Sequence, residues 1–227
     1  MARFELHGVS LRVPGKALNA GLRKALEDGN YEWNERMALG RHVTPDDVVL
    51  DIGAGAGFIS ALAAHVVGPE QIISVEASPV MMDVLRANLD ANGARGSKLI
   101  HAAVVDDAHE GESVTFAVKP AFWASALEGH QEGAAEMVTV PALRLTTLLE
   151  EHQPSIVMMD VEGAEVELCQ QAWPESVRLV IMEIHTSKYP PKVVKQIFDG
   201  MSAQGFTYMP WGTRGEVVTL QRVREGD

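Results

Sequence analysis

Apolar residues gather along this chain into short continuous runs that stop at a carboxylate or a glycine, and between the runs apolar positions recur at helical spacing. Val48 to Ile52, Gln71 to Val75, Lys98 to Val105, Ser155 to Met159 and Arg178 to His185 have the length and continuity of strands buried on both faces. The stretches that follow them, Phe58 to Val67, Pro79 to Ala91, Leu145 to His152, Gly163 to Ala172 and Pro190 to Gln204, read as helices. Strand and helix in alternation predict an α/β fold with a doubly wound, mostly parallel sheet. At the amino terminus, Phe4 to Leu6 and Val9 to Val13 alternate apolar and polar residues around His7-Gly8, a small hairpin closed by Pro14-Gly15. Leu18, Leu22, Ala25 and Leu26 mark a helix that Gly29-Asn30 stops, and Tyr31 opens another running to about Val43. Residues 1–44 are thus expected to form a hairpin and helical cap, and 45–227 one compact unit. Met137 to Val140 reads as a short strand, Ser78-Pro79 as a capped helix start, and Gly205 to Pro210 and Glu216 to Val223 predict a closing antiparallel hairpin.

The informative loop lies between the first buried run and its helix. Gly53, Gly55 and Gly57 let the chain take positive φ and let a ligand lie against bare backbone, while the next helix offers unpaired N–H donors. Dinucleotides and S-adenosylmethionine both use such a turn. Asp51, just upstream, would repel a pyrophosphate but can accept hydrogen bonds from a methionyl ammonium, so the residues favour S-adenosylmethionine over a nicotinamide cofactor. Glu76 ends the next strand about twenty residues past Gly57, where a carboxylate receives ribose hydroxyls. Asp160 with Glu162, and Glu183 with His185, end two further strands. In a doubly wound sheet these ends converge on one crevice.

Composition sets bounds. The 227 residues carry 46% hydrophobic side chains and a net charge of −12, enough for a sizeable core and unfavourable for a phosphate backbone. No nucleic acid is expected as partner. The single cysteine, Cys169, cannot form an internal disulfide, and no apolar stretch approaches bilayer length. A cytoplasmic protein without a membrane partner is the expectation; one chain gives no oligomeric state.

In the order and wording of its motifs the chain resembles the FkbM-type family of class I S-adenosylmethionine-dependent methyltransferases. The resemblance rests on Val49-Leu50-Asp51-Ile52-Gly53-Ala54 with Gly57, Val75-Glu76-Ala77-Ser78-Pro79, Asn88 with Asn92, Asp160-Val161-Glu162-Gly163-Ala164-Glu165, and Glu183-Ile184-His185, over roughly residues 31 to 208. It implies a Rossmann-like seven-stranded sheet with an antiparallel last strand, and O-methylation of a small-molecule acceptor such as a sugar or polyketide. Cofactor contacts are expected from Tyr31, Glu32, Asp51, Gly53, Ala54, Gly55, Gly57, Phe58, Glu76, Ala77, Ala103, Val104 and Asp160. Met159 stands where the family commonly carries lysine, so a raised pKa is expected at Asp160.

Methyl transfer to a hydroxyl needs a group that takes the proton or orients the oxygen. Asp160 is the first candidate, then His185, with Glu162 beside them and Glu165 structural. Asp160, Glu162, Glu183 and His185 also offer donors that a divalent cation could use, but strand-end carboxylates have other uses in this fold, so no metal is assigned. Two rival classes are a nicotinamide oxidoreductase and a non-catalytic module that binds the cofactor. The irregular segment Pro120 to Glu136 is expected to contact substrate, and Asp106-Asp107 to lie near the adenine.

Overall fold

The computed structural model describes residues 1–118, 126–127 and 136–224. The hairpin of β1 (Ala2–Leu6) and β2 (Val9–Val13) turns at His7 and Gly8, both at positive φ, the pairing a two-residue turn needs to match strand twist. Helices α1 (Ala20–Glu27) and α2 (Trp33–His42) follow. The alternating region then runs β3 (Val49–Ile52), α3 (Phe58–Val67), β4 (Ile72–Glu76), α4 (Pro79–Ala91), β5 (Lys98–His101), β6 (Ala103–Val105), β7 (Ser113–Val118), β8 (Ala126–Leu127), β9 (Glu136–Arg144), α5 (Leu145–His152), β10 (Ile156–Met159), α6 (Glu165–Leu168), β11 (Leu179–Glu183), α7 (Pro191–Ala203), β12 (Phe206–Arg214) and β13 (Val217–Arg222).

The main sheet has seven strands in the order β12-β13-β11-β10-β3-β4-β5. The five from β11 to β5 are parallel, and β13 runs antiparallel to both its neighbours. The two-residue period divides the strand side chains between two cores. Val49, Ile72, Ile156, Met158, Leu179 and Ile181 pack with α2, α3, α4 and the hairpin. Leu50, Ile73, Val157, Met159, Val180 and Met182 pack with α5, α6 and α7 on the other face. The runs are continuous in sequence because both faces are covered.

Three expectations need correction. The run from Lys98 to Val105 is not one strand: it breaks at Ala102, and β6 joins a second sheet of order β6-β9-β7-β8. The short strand expected at Met137 to Val140 extends to Arg144, and Pro141, which lacks an N–H, sits where β9 passes from pairing with β7 to pairing with β6. The helix expected through Ala172 closes at Leu168, because Gln170 and Gln171 turn back onto Glu167 and Leu168 through tighter bonds of 3.2 Å. Ser78 does precede α4 with Pro79 as its first residue, but its hydroxyl makes no capping bond. Most of the segment Pro120 to Glu136 lies outside the described residues. Among those described, no helix is long and apolar enough to cross a membrane.

Two side-chain ties hold the elements in place. Asn88 and Asn92 on α4 bond the outer edge of β2: each accepts a backbone N–H, from Arg12 and Ser10 at 2.9 and 2.8 Å, and donates to the same residue's carbonyl. Below the sheet, Asp47 is 3% exposed and receives Arg178 at 2.9 and 2.6 Å, Ser155 at 2.7 Å and the Thr44 amide at 2.8 Å. It thereby joins the entrances to β3, β10 and β11. Burial opposes its charge, yet Arg178, Ser155 and Thr44 hold the carboxyl at about 2. A folded-state pKa below the unfolded one adds stability above the ordinary Asp range that vanishes as pH falls through the folded value. Asp47→Asn is therefore expected to lose roughly 2 kcal/mol in urea unfolding at neutral pH, and the gap from wild type to close as pH falls from about 4 to about 2.

Candidate active site

The glycine loop after β3 is pinned to its neighbour strand, with the Gly53 and Ala54 amides donating to the Val75 carbonyl at 2.9 and 3.0 Å. Gly53 has φ +84°, and a β-carbon there would strike the backbone carbonyl of Asp160. Only glycine lets the loop pass this close to the end of β10. Glu76 takes the Gly55 amide at 2.8 Å and the Ser78 amide at 2.6 Å, and burial lifts it to about 6 against those bonds. Asp51 is 5% exposed, accepts from the Ser60 hydroxyl at 2.5 Å, and is likewise raised by burial to about 6.

Two cavities meet at this loop. The first is a slot whose lining includes Tyr31, Glu32, Gly53, Gly55, Glu76, Ala77, Ala103, Val104, Asp160 and Glu162. Val75, Ala102 and Phe116 complete its apolar wall. The second, about 550 Å³, shares Tyr31, Glu32, Gly53, Asp160 and Glu162 with the first and adds Asp51, Ala54, Trp33, Glu35 and Glu183. Every cofactor contact expected from the sequence lines one cavity or the other except Gly57 and Phe58. Gly57, at φ +81°, leaves room for Leu85. Phe58 is 1% exposed and supports the Tyr31 ring at 5.8 Å. Asp106 and Asp107 line neither cavity; Asp107 bonds Thr146. S-adenosylmethionine suits this pair of cavities. Asp51 and Glu76 are buried carboxylates with acceptor capacity for an ammonium and for ribose hydroxyls, and the apolar wall suits a purine face.

At the ends of β10 and β11 four carboxylates surround one histidine. His185 is 9% exposed. Its Nδ1 bonds Glu165 at 3.0 Å, and its Nε2 lies 3.2 Å from Glu162 and 3.6 Å from Asp160. Burial would lower its pKa, but Glu162 and Glu165 raise it to about 11. Glu162, at φ +56°, leaves the extended conformation expected of it; Lys188 clamps it through the side chain at 2.5 Å and the carbonyl at 2.8 Å. Burial and Glu183 raise the Asp160 carboxyl well above its ordinary range, and burial also raises Glu183. Glu165 is fully buried, with His185, Tyr189 and the Gly163 amide as partners. Glu35 and Phe116 are absent from the sequence-based site, in which Glu183 stands among the converging strand-end groups without a cofactor or catalytic role. Glu183 carried a signal as a strand-end acid; Phe116 carried none.

Comparison with known proteins agrees with this geometry. The methyltransferase FkbM domain matches residues 51–208. Ribosomal protein L11 methyltransferase of Symbiobacterium thermophilum is 32% identical over 100 residues, 44% of this chain and 30% of that protein. A protein-L-isoaspartate O-methyltransferase of Aeropyrum pernix is 40% identical over 68 residues, 30% of this chain and 25% of that protein. The chain thus spans less than a third of these curated relatives. Among solved structures, methyltransferase FkbM from Methylobacillus flagellatus KT superposes with a TM-score of 0.51 at 10% identity, covering 79% of this chain and 44% of that one, a likeness of fold. With this match across most of its length, the chain belongs to the FkbM-type family of class I S-adenosylmethionine-dependent methyltransferases.

Proposed function

We propose that the protein transfers the methyl group of S-adenosylmethionine to a hydroxyl oxygen of a small-molecule acceptor, of sugar or polyketide kind. The observation that carries this reading is the meeting of the two cavities at Asp160. A cofactor with its adenosyl part in the slot and its amino-acid end at Asp51 would meet, across that carboxylate, an acceptor in the rest of the larger cavity. Methyl transfer is an in-line displacement, so positioning and exclusion of water supply most of the rate. In the step itself the acceptor oxygen bonds the methyl carbon, the carbon–sulfur bond breaks to release S-adenosylhomocysteine, and the hydroxyl proton passes to Asp160. His185, held between Glu162 and Glu165, acts as a positioning group. The eight-residue stretch from Tyr31 to Ala38 supplies a lid-like wall through Tyr31, Glu32 and Glu35.

S-adenosylmethionine should raise the melting temperature of the protein and a nicotinamide dinucleotide should not; Gly53→Ala should abolish that shift and Glu76→Gln weaken it about tenfold in affinity. With a methyl-labelled cofactor and an acceptor panel, label should appear on oxygen, and Asp160→Asn should cut turnover by roughly a hundredfold or more. Label on nitrogen or carbon would overturn the hydroxyl assignment, and a shift with nicotinamide alone would overturn the transferase reading.

A further inference from the structure

The charged groups at the ends of β10 and β11 are not equally occupied. Glu165 is committed to His185 Nδ1, Tyr189 and the Gly163 amide, and Glu162 is neutralised by Lys188 while also standing 3.2 Å from His185 Nε2. Among the described residues no lysine or arginine pairs with Asp160 or Glu183. One ligand atom from each of Asp160, Glu183 and His185 lies within 4.8 Å of the other two. Asp160 keeps 41% side-chain exposure, yet its Oδ1 is fully buried and takes no hydrogen bond. A buried carboxylate oxygen without a partner is costly unless a ligand completes it.

Distance and orientation say which ligand. The 3.6 Å from Asp160 Oδ1 to His185 Nε2 is too long for a hydrogen bond. It suits two donors that share one cation, since ligands about 2.1 Å from a metal stand roughly 3 to 3.6 Å apart. The Glu165 bond to Nδ1 is the carboxylate support that fixes a metal-binding imidazole with its other nitrogen turned to the ion. Glu32, Glu35 and Asp51 line the same cavity, giving it a negative potential that favours a cation.

We propose that Asp160, Glu183 and Nε2 of His185 hold a divalent first-row cation, of which Mn²⁺ best suits two carboxylates and one imidazole. Three protein ligands leave positions open to an acceptor hydroxyl, whose pKa the cation lowers before transfer. That last consequence rests on the methyl-transfer reading; the binding of the ion does not.

The test uses the full chain, freed of metal by a chelator and titrated with MnCl₂ by calorimetry and by electron paramagnetic resonance of free Mn²⁺. One saturable site per chain is expected, weakened at least about tenfold in Glu183→Gln and in His185→Gln and unchanged in Asp199→Asn, a distant exposed acid. Electron spin echo modulation of the wild-type complex should show coupling to an imidazole nitrogen, a readout independent of whether the variants fold. Absence of saturable binding below about 1 mM, absence of nitrogen coupling, or undiminished binding in folded Glu183→Gln overturns the site. The melting shift with S-adenosylmethionine is measured in parallel without metal, so loss of the cation site and loss of the transferase reading register separately.

Discussion

Everything at the functional end of this molecule depends on how closely the loop after β3 lies against the end of β10. The two strands pair in parallel, and the Asp160 amide continues that pairing by donating to the Ile52 carbonyl at 3.0 Å. Past this point the chains must diverge, and Gly53 makes its turn directly against the Asp160 carbonyl because it has no side chain to place there. The consequence is a shared wall. The loop and the carboxylates, each of which lines both cavities, are parts of a single packed seam, so neither can shift without the other.

The same seam concentrates charge that the rest of the fold avoids. Asp51 and Glu76 are buried with hydroxyl and amide donors as their hydrogen-bond partners, whereas Asp47, at the opposite ends of the strands, has a guanidinium. Neutral donors satisfy part of a carboxylate's capacity, and a buried anion left in that state favours whatever cation or hydroxyl arrives next. At the carboxyl ends of the strands Asp51, Glu76, Asp160 and Glu183 have no lysine or arginine partner among the described residues; at the amino ends Asp47 has Arg178. That asymmetry follows the division between a face that binds and a face that holds the sheet together.

The sequence made the sheet readable because the strands from β3 to β11 bury both faces, and a continuous apolar run ending in an acid is a local property of the chain. Asp51, Glu76, Asp160 and Glu183 were legible for that reason. The second sheet was not, because the departure of β6 from the main sheet depends on a partner, β9, that arrives some forty residues later. Phe116 reaches the slot only through that pairing. Glu165, read as structural, has a depth that the sequence does not show: it is fully buried because His185 and Tyr189 fold back over it.

The asparagines of α4 have an effect beyond fastening the hairpin. By offering one acceptor and one donor each to Ser10 and Arg12, their amides imitate the peptide groups of a neighbouring strand. The free rim of β2 is thus already occupied and cannot recruit a strand from another molecule, a protection that sheet proteins more often obtain with charge or proline. Asn88 also donates to the Ala56 carbonyl at 2.8 Å, so the same imitation strand reaches into the glycine loop and couples the order of the amino-terminal ribbon to it.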